Sequence, residues 1–157
     1  MKKQFLIGLM TSIFISSIYA QDIPTRFGKL TINDENILLY KNKSFNPEIQ
    51  GNSSLSHLGT YALGTKDIVL IQDNGGTGCP ALLYLITLSE SKVKASQPFG
   101  TCSDLIKVKA SDKNVLVTMT GFQGPFESEK AQEKAAREKH LYSFNGEKIK
   151  HSQIKGK

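Results

Sequence analysis

Two cysteines, Cys79 and Cys102, are the residues of this chain best placed to do chemistry, and the chemistry that they suit is mutual oxidation. They lie in similar glycine-bearing settings, Gly75-Gly76-Thr77-Gly78-Cys79-Pro80 and Phe99-Gly100-Thr101-Cys102-Ser103-Asp104. An even cysteine count behind an export signal is most simply read as a disulfide. Closing a loop between residues this far apart stabilises a fold by roughly 3 kcal/mol on chain-entropy grounds. The competing role is a nucleophilic thiolate at Cys79, which would need a base or a positive charge beside it. The three histidines, His57, His140 and His151, stand in no cysteine-protease context.

Other reactive constellations fit poorly. Asp73-Asn74-Gly75-Gly76-Thr77-Gly78 has glycines that could form an anion nest, but lacks the Gly-Lys-Ser/Thr ending of a phosphate loop. As a calcium loop it lacks the further spaced carboxylates, the next acid being Glu90. The expectation is a tight turn that carries Cys79 to its partner. No Gly-x-Ser-x-Gly elbow is present, and the Ser89-Glu90-Ser91-Lys92 stretch reads as a turn between strands. Scattered histidines give no zinc spacing. Paired carboxylates assemble in space rather than in sequence, so Asp73 and Asp104, on the two bridged loops, are the acids that a hydrolase would use. The expectation is no catalytic residue, no metal and no cofactor.

The first twenty residues read as a secretory signal. Lys2 and Lys3 open it, Phe5 to Ile18 form its apolar run, and Ile18-Tyr19-Ala20 is a small-residue cleavage site. The run is too short and too interrupted by serine and threonine to predict a membrane span. The sequence therefore divides into a signal at 1–20 and one domain at 21–157, periplasmic or secreted, with no membrane insertion after cleavage. Removing Lys2 and Lys3, with no acid lost, lowers the formal charge from +6 to +4. The excess sits late, with eleven Lys/Arg against six Asp/Glu from Leu105 onward. With no tryptophan and only Arg26 and Arg137 as arginines, nucleic acid is not an expected partner.

The elements that must position the cysteines are short strands. Lys29–Ile32 and Ile37–Tyr40 flank a turn at Asn33-Asp34-Glu35-Asn36, and a polar loop runs from Asn42 to Ser56. Further strands are predicted over Leu58–Leu63, Ile68–Gln72, Ala81–Leu88, Val93–Ser96, Leu105–Lys109 and Val115–Thr120. Ala81–Ile86 is apolar throughout and follows Pro80, which predicts a central strand buried on both faces. Glu127–His140, rich in Ala, Glu, Lys and Gln, predicts a surface helix with a thin apolar stripe at Ala131 and Ala135. Asn145-Gly146 then predicts a two-residue hairpin turn between Leu141–Phe144 and Glu147–Lys150. The fold expected is all-β or β-dominated, with antiparallel sheets in a curved sheet, a sandwich or a partial propeller, and one late helix near 127–140.

Small size, export and a covalent staple suit a non-catalytic binding protein of the bacterial envelope. Its most concrete form is an inhibitor or immunity protein that blocks a cell-wall enzyme or a toxin, with another envelope protein as partner. A small cell-wall hydrolase and a structural module of an envelope assembly are the alternatives. Loops fastened by the bridge lose little entropy on docking, which nominates Asp73, Asn74 and Thr77 on one loop and Phe99, Thr101 and Asp104 on the other. Phe99 is the expected anchor, while Phe122 and Phe126 are further loop aromatics. The leader makes a direct prediction: intact-mass analysis of protein expressed with its own leader should show a chain beginning at Gln21, recovered from periplasm or medium. A mass retaining Met1 in the membrane fraction would refute it.

Overall fold

The structure, a computed structural model, describes residues 20–154. The expected export signal therefore lies outside the described residues except for Ala20. The first strand begins at Gln21, immediately after the expected cleavage site.

Three antiparallel sheets follow one another along the chain, each built on a four-strand up-and-down meander, to which the second adds a fifth strand. The first contains β1 (Gln21–Thr25), β2 (Gly28–Ile32), β3 (Leu38–Tyr40) and β4 (Lys43–Ser44). The second contains β5 (Ser54–Leu63), β6 (Lys66–Asn74), β7 (Ala81–Leu88) and β8 (Val93–Ala95), with β9 (Phe99–Cys102) attached to β7 off the main path. The third contains β10 (Ile106–Ala110), β11 (Val115–Thr120), β12 (Lys139–Phe144) and β13 (Ile149–Ile154). A single short helix, α1 (Glu129–Arg137), interrupts the β11–β12 connection. The three meanders share two cores, one between the first and second sheets and one between the second and third, so the fold is β-dominated with antiparallel sheets, as expected.

The second sheet is the middle layer because its strands are apolar on both faces. In β6, Asp67 to Ile71 are all buried. Alternation of side chains along a strand sends Val69 and Ile71 to one core and Ile68 and Leu70 to the other. In β7, Ile86 and Leu88 join the first core, and Leu83 and Leu85 the second. Ile23, Leu30, Ile32 and Leu38 of the first sheet close one core; Val115, Val117, Met119 and Phe144 of the third close the other. The prediction of a central, doubly buried strand at Ala81–Leu88 thus extends to β6 as well.

Differences from the sequence reading have identifiable causes. β1 has only Ile23 as its buried anchor and contains Pro24, yet it pairs in full register with β2 from Gln21↔Ile32 to Thr25↔Gly28. The polar stretch after Asn42 holds the two-residue β4, and Ile37 bridges to Gln50. Phe99 stands in a strand, β9, rather than in a loop. The helix is shorter than its composition suggests. Ser128 caps it, its hydroxyl accepting the Ala131 N–H at 3.3 Å, and Glu138 is already extended. Lys139 and His140 belong to β12, where they pair with β11 and β13 on either side. As expected of a surface helix, only Ala135 is buried.

The β12–β13 turn has four residues, not two. The Asn145 carboxamide oxygen accepts the N–H groups of Glu147 and Lys148, which sets Phe144 opposite Ile149. A two-residue loop would have put His140 opposite His151; the longer turn puts Tyr142 there instead.

One ion pair ties the first layer to the middle one. At the β1–β2 turn, Arg26 donates its backbone N–H and its Nε–H to the two oxygens of Asp67, each at 2.7 Å. Its guanidinium also reaches the carbonyls of Lys66 and Gly64. Asp67 is buried, whereas the Arg26 side chain is about half exposed. Removing one partner of a buried pair leaves the other unsatisfied. Arg26→Met, which strands the buried carboxylate, should therefore lower the stability to urea by about 3 kcal/mol, the low end expected for a pair open to water on one side. Asp67→Asn should cost less, because the half-exposed guanidinium that it leaves can be solvated, and an unchanged midpoint for Arg26→Met would show the pair to be ornamental.

Candidate functional site

The disulfide is present. Cys79 and Cys102 are bonded with Cα atoms 4.6 Å apart. Their neighbours explain the approach. Ala81 pairs with Cys102, so Cys79 lies two residues before the point where β9 meets β7. A tight turn brings it there: the Cys79 N–H donates to the Gly76 carbonyl, and the Gly75 N–H to that of Pro80. The turn needs glycine at 75, because a Cβ there would lie 2.0 Å from the Cys79 carbonyl oxygen. On the other side Gly100 (φ 133°) and Cys102 (φ 69°) both take left-handed backbone, which lets β9 break from β7. The Asn74–Gly78 segment is thus a turn that delivers a cysteine.

The β7 strand has its outer side shared between two short strands. β8 pairs with Ile86–Leu88 and β9 with Ala81 and Leu83, while Ser96 bonds to Leu85 through both its backbone N–H and its hydroxyl. β9 also reaches the third sheet: the Thr101 hydroxyl donates to the Thr120 carbonyl, and Ser103 shares a 2.7 Å hydroxyl contact with Thr120. The bridge, β9 and β11 therefore form one fastened corner between the middle and third layers.

Beside that corner the two sheets diverge, leaving a cleft of about 800 Å³. Its inner wall consists of Leu85, Phe99, Tyr142 and Phe144, which continue the core between the sheets out to the surface. Phe99 and Tyr142 are in tilted contact, with centroids 5.1 Å apart, and His151 stacks on the other side of Tyr142 at 4.6 Å. Burial pushes the Tyr142 phenol up, so it remains a neutral hydrogen-bonding group at physiological pH. The rim is basic. Lys92 and Lys94 come from the β7–β8 turn and β8, Lys66 from the start of β6, and His151 from β13. The one acid in the lining, Glu147, lies 3.6 Å from Lys66.

His151 also meets His140. The ring nitrogens are 3.0 Å apart, the planes differ by only 7° and the centroids are 5.2 Å apart, so the rings meet end-on. One proton must lie between the two nitrogens for that contact to be favourable. The other side of His140 faces the Glu138 carboxylate at 3.6 Å. Among the described residues, no three His, Cys, Asp or Glu side chains are grouped to hold a metal ion.

The six nominated residues do not share one surface. The Asp73 carboxylate accepts the Asn52 N–H at 2.7 Å and, after burial, helps raise the pKa of Tyr84, which packs into the first core. The Asn74 amide donates to the hydroxyls of Ser54 and Ser56, knitting β5 to β6. Thr77 and Asp104 are exposed, and Thr101 is committed to Thr120. Phe99 alone among the six lines the cleft. Phe122 is half-buried and Phe126 fully exposed. The rest of the cleft, drawn from residues 66, 85–100 and 142–151, escaped the sequence reading. The only local signal for it was lysine interleaved with apolar residues around Val93.

Among the described residues, no helix is long and apolar enough to cross a membrane. Comparison with protein-family models, with curated proteins and with solved structures finds no match. The chemistry of the site accordingly rests on its own geometry. The bridge makes the first demand of that geometry. Cys79→Ala and Cys102→Ala should each cost about 2–5 kcal/mol in urea unfolding, with the double variant no worse than either single one. A thiol that alkylates freely in the native protein, with stability unchanged, would contradict the bond.

Proposed function

We propose that this is an exported, non-catalytic binding module that captures another protein of the bacterial envelope, most concretely as an inhibitor or immunity protein. The observation that carries the reading is the open cleft beside the disulfide, with Phe99 in its wall and a rim of lysines. A rigid pocket with an apolar interior and a few polar groups at its mouth is the ordinary form of a recognition site. The bridge and the Thr101–Thr120 hydrogen bond fasten β9, and with it Phe99, before a partner arrives, so little order has to be gained there on binding.

The position of Phe99 alters how docking would work. As a half-buried strand residue against Tyr142, it suits a wall that receives a partner's side chain rather than a knob inserted into the partner. The acids that a hydrolase reading would use are otherwise occupied or apart from the cleft: Asp73 anchors Asn52 on the first-core side, and Asp104 is not in the cleft lining. The binding reading therefore has more of the geometry behind it.

Affinity capture from envelope extracts, or of the product of the neighbouring gene, is the direct test. Wild type should retain a specific partner, and Phe99→Ala should weaken capture at least tenfold with circular dichroism unchanged. Purified protein that cleaves peptidoglycan, with activity abolished by Asp73→Asn or Asp104→Asn, would replace this reading with the enzyme. Retention of the same partner by Phe99→Ala at undiminished strength would move docking away from the cleft.

A further inference from the structure

The cleft has a chemical character specific enough to name what enters it. It is the unfilled end of the core between the middle and third sheets: Leu85, Tyr142 and Phe144, buried there, lead out to the half-buried Phe99. An apolar side chain entering from solvent would continue that core and remove these faces from water. At about 800 Å³ the space takes a few side chains and not a folded domain.

Two features of the mouth define the shape and charge of the visitor. The cleft is bordered by β8 and β13, the last strands of their respective sheets. A segment running between two sheet edges is most favourably extended, with its backbone available to either edge and its alternate side chains directed inward. The rim is cationic: Lys92 and Lys94 are exposed and have no ion-pair partner among the described residues. Lys66 is offset by Glu147. Carboxylates flanking the inserted side chain would meet Lys92 and Lys94, whereas a basic segment would be repelled. The outward edge of β13 carries Lys150, a feature that discourages indiscriminate strand addition.

We propose that the cleft receives an extended acidic segment of the captured protein, with a bulky apolar side chain wedged between the two sheets against Phe99 and Tyr142. This rests on the docking reading above and gives that partner its recognition element. Both parts of the signature are needed, because the aromatic wall selects the apolar residue and the lysines select its neighbours.

The test uses fluorescence anisotropy with the full mature protein. The probe is a labelled nine-residue peptide bearing two central phenylalanines flanked by glutamates and aspartates. Its controls are the same peptide with lysines for the acids and with serines for the phenylalanines. The acidic peptide should bind at least tenfold more tightly than either control, and its affinity should fall with added salt. The double variant Lys92→Glu, Lys94→Glu, altered only at exposed positions, should lose at least tenfold for the acidic peptide and gain for the basic one. Equal binding of the acidic and basic peptides, or no response to the double reversal, would overturn the proposal. So would binding of free phenylacetate at the cleft with every peptide excluded, or self-association of the protein that the reversal abolishes. Envelope capture separates this from the broader reading. If Phe99→Ala loses the partner while the double reversal keeps it fully, docking at the cleft stands and the acidic segment falls.

Discussion

Burial of one sheet on both of its faces is the constraint from which the rest of this structure follows. A strand such as β6, apolar from Ile68 to Ile71 without interruption, cannot leave either face in water at acceptable cost. The chain before it and the chain after it each supply a cover, and each cover is itself a meander with one apolar face. In β11 the alternation is plain, Val115, Val117 and Met119 inward and the residues between them half-exposed. The layer order thus repeats the chain order. The same constraint explains why Asp67, at the start of the buried run, has to be met by Arg26 from the covering layer.

Covering a middle sheet completely is easier than covering its borders. β7 has its outer side divided between β8 and β9, neither long enough to extend the sheet along its whole length. At β9 the Thr101–Thr120 hydrogen bond holds the third sheet close, at the start of β6 the Lys66–Glu147 ion pair spans the same two sheets, and the cleft lies beside these ties. The cleft is therefore a by-product of how a doubly covered sheet ends. That gives it an aromatic wall made of core residues and a rim made of turn lysines. Structural and recognition roles fall on the same side chains, Phe99 and Tyr142 above all.

How much of this the sequence discloses depends on how local the determining forces are. The apolar runs of β6 and β7, the alternation in β11 and the cysteine pairing are local or compositional, and each is legible. So are the turns at Ser89–Lys92 and Ser111–Asn114, whose serine hydroxyls hydrogen-bond the backbone of the turn. β1 is not legible, because one buried isoleucine beside a proline has no pattern, and its strand character comes from pairing with β2. Lys139 and His140 have helix-like company in sequence but strands on both sides in space, and pairing prevails over propensity. The cleft is least legible of all. Its wall requires knowing which face of β7 opposes which face of β12, and its rim requires the β12–β13 register, which the Asn145 side chain sets two residues away from the simplest hairpin.

The bond between Cys79 and Cys102 closes a ring of chain around β7, β8 and β9. That ring includes the exposed Ser89–Lys92 turn at the cleft's mouth, the kind of site at which a protease would first cut. A cut there would not divide the protein, since both new ends would stay attached through sulfur to the middle sheet. The aromatic wall of the cleft, built on β9 and β12, would stay in place around a severed rim. Nicked at that exposed turn, this protein would still be one molecule.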